Sequence, residues 1–349
     1  MNALDHEELL VRRGDRSGLY TVIAVHSTTL GPALGGCRLW HYPSTADGVD
    51  DAMRLARAMT YKAAAAGLDL GGGKGVICAD GGGPPRGGAR RAALLDFADA
   101  VASLDGRYIT AEDVGTSSAD IAVMAERTTH VVGLPRELGG MGDPSPVTAR
   151  GVEAAIRACC RRRLRSDELG GVHVAVIGLG HVGSHLARNL AAAGAELTVS
   201  DIDPRRRAVA DALAARWIDP EIEVVAECDV LAPCALGGTI TAENVDALRC
   251  EIVCGAANNV LAEDALAEDL AEREIIYAPD FIANAGGLIN VYAELHQLEE
   301  EQVGELVDGI GDCMGRVLDA AERRSITPLD AAYELAAERL GGAPAAQAA

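Results

Sequence analysis

Two periodicities alternate along the chain. A β-branched and aromatic run, Leu19-Tyr20-Thr21-Val22-Ile23-Ala24-Val25, predicts a strand, and the following Gly31-Pro32-Ala33-Leu34-Gly35-Gly36 predicts a turn. From about Ala46 to Ala66, apolar residues recur at helical spacing (Ala52, Met53, Leu55, Ala56, Met59) and stop at Gly67. That pattern predicts a helix with Lys62 in its last turn. Lys74 is then expected in a loop, Gly71-Gly72-Gly73-Lys74-Gly75, ahead of Val76-Ile77. A second helix is expected near Arg90 to Ser103, and a short strand at Tyr108-Ile109-Thr110 with Asp113 just beyond it.

The turn-rich stretch Gly133 to Pro146 reads as a linker, and Thr148 is expected to open a helix through Cys160. Val172–Ile177 is then almost continuously apolar, as in a strand buried on both faces. Further strands are expected at 196–200, 223–225, 230–232, 251–254 and 275–278, with helices between most of them. Such alternation implies a doubly wound parallel sheet with right-handed crossovers. After Ala285-Gly286-Gly287 the pattern is helical almost to a frayed tail at 341–349.

The 349 residues suffice for two domains, and the net charge of −21 argues against nucleic-acid and anionic-membrane partners. No apolar run is long enough to span a bilayer, and the first residues are acidic where a secretion signal is basic and then apolar. Nine scattered cysteines without a C-x-x-C pair read as small core residues of a cytoplasmic protein, with no disulfide framework and no metal site. One count stands out. Of 31 basic residues, only Lys62 and Lys74 are lysine. Arginine serves solubility and ion pairs, but only lysine can lose its proton when desolvated, so these two positions are candidates for chemistry.

Strand Val172–Ile177 runs into Gly178-Leu179-Gly180-His181-Val182-Gly183, which opens a helix, and a second strand ends at Asp201. The three glycines suit a tight turn, the approach of a pyrophosphate, and close helix–strand packing, while the helix N-terminus offers amide donors. Asp201 is spaced to accept from a ribose 2′-hydroxyl, which favours NAD, whereas Arg205-Arg206-Arg207 leaves the 2′-phosphorylated form open. The expected fold is therefore α/β. An N-terminal α/β substrate domain spans residues 1–140 and a Rossmann-type doubly wound NAD-binding domain spans 147–299. A cleft is expected between them, and the helices from about 300 to 349 are expected to pack back toward the first. His181 and His185, four apart on the helix, read as surface or packing residues because no third metal ligand accompanies them.

Several long blocks resemble the leucine, valine and phenylalanine dehydrogenases of the glutamate dehydrogenase superfamily. They are Gly31–Gly36, Met59-Thr60-Tyr61-Lys62, Gly71–Lys74, Ala111–Thr116, Gly255-Ala256-Ala257-Asn258-Asn259 and Asn284-Ala285-Gly286-Gly287. The resemblance implies reversible NAD-linked oxidative deamination of an L-amino acid. It makes Lys62 the ligand of the substrate carboxylate, Lys74 the catalytic lysine and Asp113 the proton carrier at the amine. It also implies cofactor contacts from Thr148, Asn258 and Asn284, with Asn258 facing the substrate as well. Leu34, Gly35, Ala111, Leu288 and Val291 would line the side-chain pocket. Each catalytic role is chemically sound: a lysine becomes a general base near neutral pH when desolvated beside another cation, here Lys62, and an arginine at 74 could not.

The resemblance further implies an apolar substrate, because glutamate-specific relatives carry a lysine aligned near Leu34. Leu34 and Ala111 look like the leucine or valine enzymes, whereas Leu288 and Gly36-Cys37-Arg38 look more like phenylalanine enzymes, so an aromatic substrate is the alternative. Relatives also self-associate, which implies a homo-oligomer. A 2-hydroxy acid dehydrogenase would need a histidine base beside an arginine clamp, and no loop supplies that pair. A silent NAD-binding regulator is a further alternative, distinguished by NADH binding without turnover.

Overall fold

The computed structural model describes residues 5–79, 81 and 83–341, which fall into two compact units. The first contains the residues up to Gly142 together with Val291–Leu298 and Arg339–Gly341. Its elements are β1 (Glu8–Arg13), β2 (Tyr20–Ser27), β3 (Ala33–His41), α1 (Thr45–Ala65), β4 (Gly71–Ala79), α2 (Gly87–Ala102), β5 (Tyr108–Glu112) and α3 (Ser118–Met124). The strands form one sheet in the order β1-β2-β4-β3-β5. β2 runs antiparallel to β1 and β4, whereas β3, β4 and β5 are parallel.

Side chains alternate across this sheet. On one face Val22, Ala24 and Val76 pack with Ala52 and Ala56 of α1. On the other, Ile23 and Ile77 join Phe97, Leu94 and Tyr108. α1 begins with a reciprocal cap: the Asp47 amide donates to Ser44 Oγ, and the Ser44 amide donates to Asp47 Oδ2. Lys62 lies in its last turn, as its sequence position implied, and is half-buried.

The second unit holds Asp143–Asn290 and Glu299–Glu338. Its six parallel strands are β6 (His173–Ile177), β7 (Glu196–Ser200), β8 (Arg216–Trp217), β9 (Val230–Pro233), β10 (Ile252–Val253) and β11 (Ile276–Tyr277). They lie in the order β11-β10-β9-β6-β7-β8, so the winding direction reverses between β6 and β9. The helices are α4 (Ser145–Arg163), α5 (His181–Ala192), α6 (Arg207–Ala212), α7 (Leu266–Glu272), α8 (Asp280–Ala283), α9 (Gly286–His296), α10 (Glu300–Arg324) and α11 (Pro328–Arg339). No helix among the described residues is long and apolar enough to cross a membrane. None of the nine cysteines, all among the described residues, is in a disulfide.

Four expectations need correction. The glycine-rich segment around Lys74 is a strand, β4, because it runs between β2 and β3 where added side chains would meet α1 at Gly72, β2 at Gly71 and Gly73, and the Tyr108 and Phe97 rings at Gly73 and Gly75. Part of the turn expected at 31–36 likewise belongs to β3, whose Gly35 lies against the backbone of Gly73. Residues 223–225 form the end of a 3₁₀ turn rather than a strand, since Pro220 begins the turn and Asp219 accepts from the Glu221 amide. The sixth strand is Arg216–Trp217 instead.

The helices beyond residue 300 depart most from expectation. Val303, Val307, Ile310, Met314 and Val317 form one buried stripe on α10. The helix crosses α4 closely enough that a Cβ on Gly151 would lie 2.5 Å from Ile310 Cδ1. α10 is thus part of the second unit, and the segments that join the first are Val291–Leu298 and Arg339–Gly341. Glu294 anchors the former. Its carboxylate accepts from the backbone amides of Gly133 (2.8 Å), Leu134 (3.2 Å) and Met141 (3.1 Å). The tail at 342–349 lies outside the described residues.

Candidate active site

Lys74 is the fourth residue of β4 and is 5% exposed. The glycines before it follow from packing. A Cβ at Gly72 would fall 2.1 Å from the Thr60 amide nitrogen and 2.2 Å from Thr60 Oγ1, so only glycine lets α1 lie against the strand. Lys74 therefore projects from a stretch without other side chains, and its Nζ reaches Asp113 Oδ2 at 2.8 Å.

Asp113 follows β5 directly. Its amide donates to Thr116 Oγ1, which in turn donates to the Cys37 carbonyl on β3 (2.8 Å). Arg38 meets the same carboxylate oxygen through Nε at 3.0 Å and reaches Asp51 Oδ2 through Nη1 at 2.9 Å. Tyr42 donates to that Asp51 oxygen (2.6 Å), and Arg54 contacts the other.

The electrostatics follow from this geometry. Burial lowers the pKa of Lys74 below its usual 10.5; Asp113 opposes the change and the Arg38 cation adds to it. Burial alone would raise Asp113, but Lys74 and Arg38 outweigh it and hold the carboxyl below its usual range. An amine biased toward neutrality beside a carboxylate that stays ionised can move protons in both directions.

Leu34 and Gly35 lie on β3 and Ala111 on β5, with Gly36 paired to Ala111 across the two strands. Leu34 and Ala111 are buried. Leu288, buried, and Val291, half-buried, stand three residues apart on α9.

In the second unit, Gly178 follows β6 with φ +91°, a left-handed turn that glycine permits. A Cβ at Gly183 would lie 1.9 Å from the Gly178 carbonyl oxygen, so the third glycine is a packing requirement. A Cβ at Gly180, by contrast, has nothing within 4 Å. Gly180 caps α5, and among the described residues its first turn has no side-chain cap. That leaves open space in front of free donors, with exposed His181 and half-buried Val182 beside it, an arrangement that fits a dinucleotide diphosphate. The loop lies at the carboxyl ends of the strands where their order reverses, because Gly178 faces Ala235 just beyond β9.

Asp201, at the end of β7, accepts from the amides of Leu179 (2.7 Å) and Asp203 (2.8 Å). The exposed Arg205 is paired with Asp203. Asn284 is buried and donates to Asn258 Oδ1 (2.9 Å) and to the carbonyls of Ala256 and Ala257. Thr148 sits inside the first turn of α4, which starts at Ser145 rather than at Thr148, and its Oγ1 donates to the Pro144 carbonyl.

The structure thus brings Lys74 to Asp113 and Asn258 to Asn284. Sequence reasoning missed Arg38 and gave the role of neighbouring cation to Lys62 alone. The parallel register of β3 and β5, which pairs Cys37 with Glu112 and so sets Arg38 beside Asp113, was the missing signal.

Residues 8–130 match the family described as Glu/Leu/Phe/Val dehydrogenase, dimerisation domain, and residues 199–348 match Glutamate/Leucine/Phenylalanine/Valine dehydrogenase. The chain is 43% identical over 342 residues to the leucine dehydrogenase of Bacillus subtilis, covering 97% of this chain and 93% of that protein. The chain belongs to the glutamate/leucine/phenylalanine/valine dehydrogenase family. It is an amino acid dehydrogenase, an oxidoreductase acting on a CH–NH2 group, and dehydrogenases of this family use NAD or NADP. The valine dehydrogenase of Streptomyces coelicolor is 41% identical, covering 97% of this chain and 93% of the relative. The crystal structure of L-tryptophan dehydrogenase from Nostoc punctiforme superposes with a TM-score of 0.86 at 36% identity, over 97% of this family member and 96% of that chain.

Proposed function

We propose that the enzyme catalyses reversible, NAD-linked oxidative deamination of an apolar L-amino acid, with leucine and valine favoured, to the 2-oxo acid and ammonium. The buried contact between Lys74 and Asp113 carries this reading. Lys62, a compact cation at a helix end, binds the substrate carboxylate. Asp113 takes a proton from the substrate ammonium, freeing the lone pair that expels hydride from Cα. NAD bound at the Gly178–Gly183 loop supplies the hydride acceptor. Lys74, uncharged, removes a proton from the water that adds to the resulting iminium carbon, and returns it as ammonia departs. Amino acid, water and NAD+ become 2-oxo acid, ammonium, NADH and one proton, so atoms and charge balance.

Leu34, Gly35, Ala111, Leu288 and Val291 shape the side-chain pocket in this reading, and the chain has no third lysine to receive a side-chain carboxylate. Thr148, Asn258 and Asn284 orient the cofactor, and Asn258 also faces the substrate. Asp201 at the end of β7, together with the occupation of Arg205 by Asp203, supports NAD over NADP. The match of residues 8–130 to a dimerisation domain supports self-association. An aromatic substrate is the second reading, favoured by the likeness to the tryptophan dehydrogenase. Turnover of leucine, valine, phenylalanine, tryptophan and glutamate with NAD and NADP, followed as NADH or NADPH absorbance at alkaline pH, tests both. Fastest turnover of glutamate, or NADH binding without turnover of any of the five, would overturn the reading.

A further inference from the structure

The guanidinium of Arg38 joins two carboxylates, and each is fixed from a different direction. At one end Asp51, on α1, receives Arg38, Tyr42 and Arg54, so both of its oxygens are occupied. At the other, Arg38 Nε and Lys74 Nζ converge on a single oxygen, Asp113 Oδ2. Asp113 Oδ1 has no hydrogen-bond partner among the described residues. Two donors on one oxygen stop the carboxylate from rotating, and they leave its second oxygen as the free acceptor beside Lys74.

We propose that Arg38 is a positioning residue for the deamination: anchored through Asp51, it clamps Asp113 so that one carboxylate oxygen holds Lys74 and the other is presented to the substrate's amine. The inference rests on the roles proposed above for Lys74 and Asp113. It explains a tension in the site. A carboxylate 2.8 Å from Lys74 favours the ammonium form, which opposes a base. A permanent second cation on the same oxygen offsets that preference without competing for the proton, because guanidinium does not titrate at working pH. Lysine at 38 would keep a charge, but it has no fork to span Asp113 and Asp51 together.

The test uses Arg38→Gln and Arg38→Lys in the full chain, with two readouts. The first is the pH profile of kcat/KM for the amino acid the wild type turns over best. The second is the NMR titration of the lysine Nζ groups in protein labelled with 15N-lysine, which contains only two such groups and needs neither substrate nor cofactor. Arg38→Gln should move the Lys74 midpoint and the rising limb of the profile to higher pH together. Arg38→Lys should leave both near their wild-type positions. Both variants should lower kcat by roughly 10- to 100-fold, through the loosened carboxylate, while NADH binds normally. Added guanidinium should restore part of the rate to Arg38→Ala. Unmoved Lys74 titration in Arg38→Gln, or wild-type kcat in Arg38→Lys, overturns the proposal. Failure of the wild type to deaminate any amino acid would instead sink the functional reading, and the lysine titration would still decide whether Arg38 governs Lys74.

Discussion

Gly72→Ala is the smallest change that tests whether the packing of α1 on β4 sets the active geometry. The added Cβ would sit 2.1 Å from a backbone nitrogen and 2.2 Å from a hydroxyl of Thr60, with the Ala56 carbonyl at 2.5 Å. None of these can swing aside, because two are backbone atoms of α1 and the hydroxyl belongs to a fully buried side chain that contacts His26 Nδ1 at 2.8 Å. Restoring an ordinary contact requires helix and strand to part by on the order of 1 Å, and such overpacking costs about 1–3 kcal/mol. Lys62 lies two residues beyond Thr60 and moves with the helix, and Lys74 lies two residues beyond Gly72. A displacement of about 1 Å in reacting groups costs roughly 100-fold in rate. The assay is kcat/KM for leucine with saturating NAD, beside a thermal melt. Gly88→Ala, whose Cβ meets nothing within 4 Å, is the control that should retain both. Wild-type kcat/KM in Gly72→Ala would refute the claim that this contact sets the position of the two lysines.

Five other outcomes follow from the same geometry. Lys74→Arg keeps the charge but not the ability to release a proton, so turnover should fall by about 10³-fold or more, while fluorescence titration still finds NADH binding. In the wild type, kcat/KM should rise with pH through the depressed value of Lys74, placing that limb below pH 10.5; a limb at or above 10.5 would show that burial does not tune this amine. Gly180→Ala should melt normally, since its Cβ enters open space, yet weaken NADH by at least about tenfold; Gly183→Ala should unfold at lower temperature because its Cβ would meet a carbonyl oxygen at 1.9 Å. Glu294→Ala removes the acceptor of three backbone amides, and hydrogen exchange at Gly133, Leu134 and Met141 should accelerate by roughly 10- to 100-fold.

The glycine loop of the second unit was more legible from the chain than the glycines of the first, for a physical reason. A doubly buried parallel strand such as β6 writes itself as an apolar run, and a glycine loop between strand and helix has few other uses. The glycines of β3 and β4 were misread because close backbone approach and a tight turn both call for the smallest residue, and only tertiary contacts tell them apart. Residues 223–225 were misread because Val224 and Val225 look like strand, while Pro220 and Asp219 impose a turn. Lys74 and Asp113 stood out by rarity and by position after a strand. Arg38 did not, since one arginine among 29 carries no mark until strand register sets it beside Asp113.

The near-total replacement of lysine by arginine has a practical side. Succinimidyl esters, reductive methylation and aldehyde supports attack unprotonated primary amines, and arginine gives them none. On this chain the side-chain amines open to such reagents are those of Lys62 and Lys74, and the second is almost wholly enclosed. Resin coupling through amines would therefore tether the protein by its chain start or by a functional group, whereas carbodiimide coupling to its abundant acids spares both. Conversely, labelling mapped to Lys62, apart from the chain start, reports on occupancy of the helix end proposed to hold the substrate carboxylate.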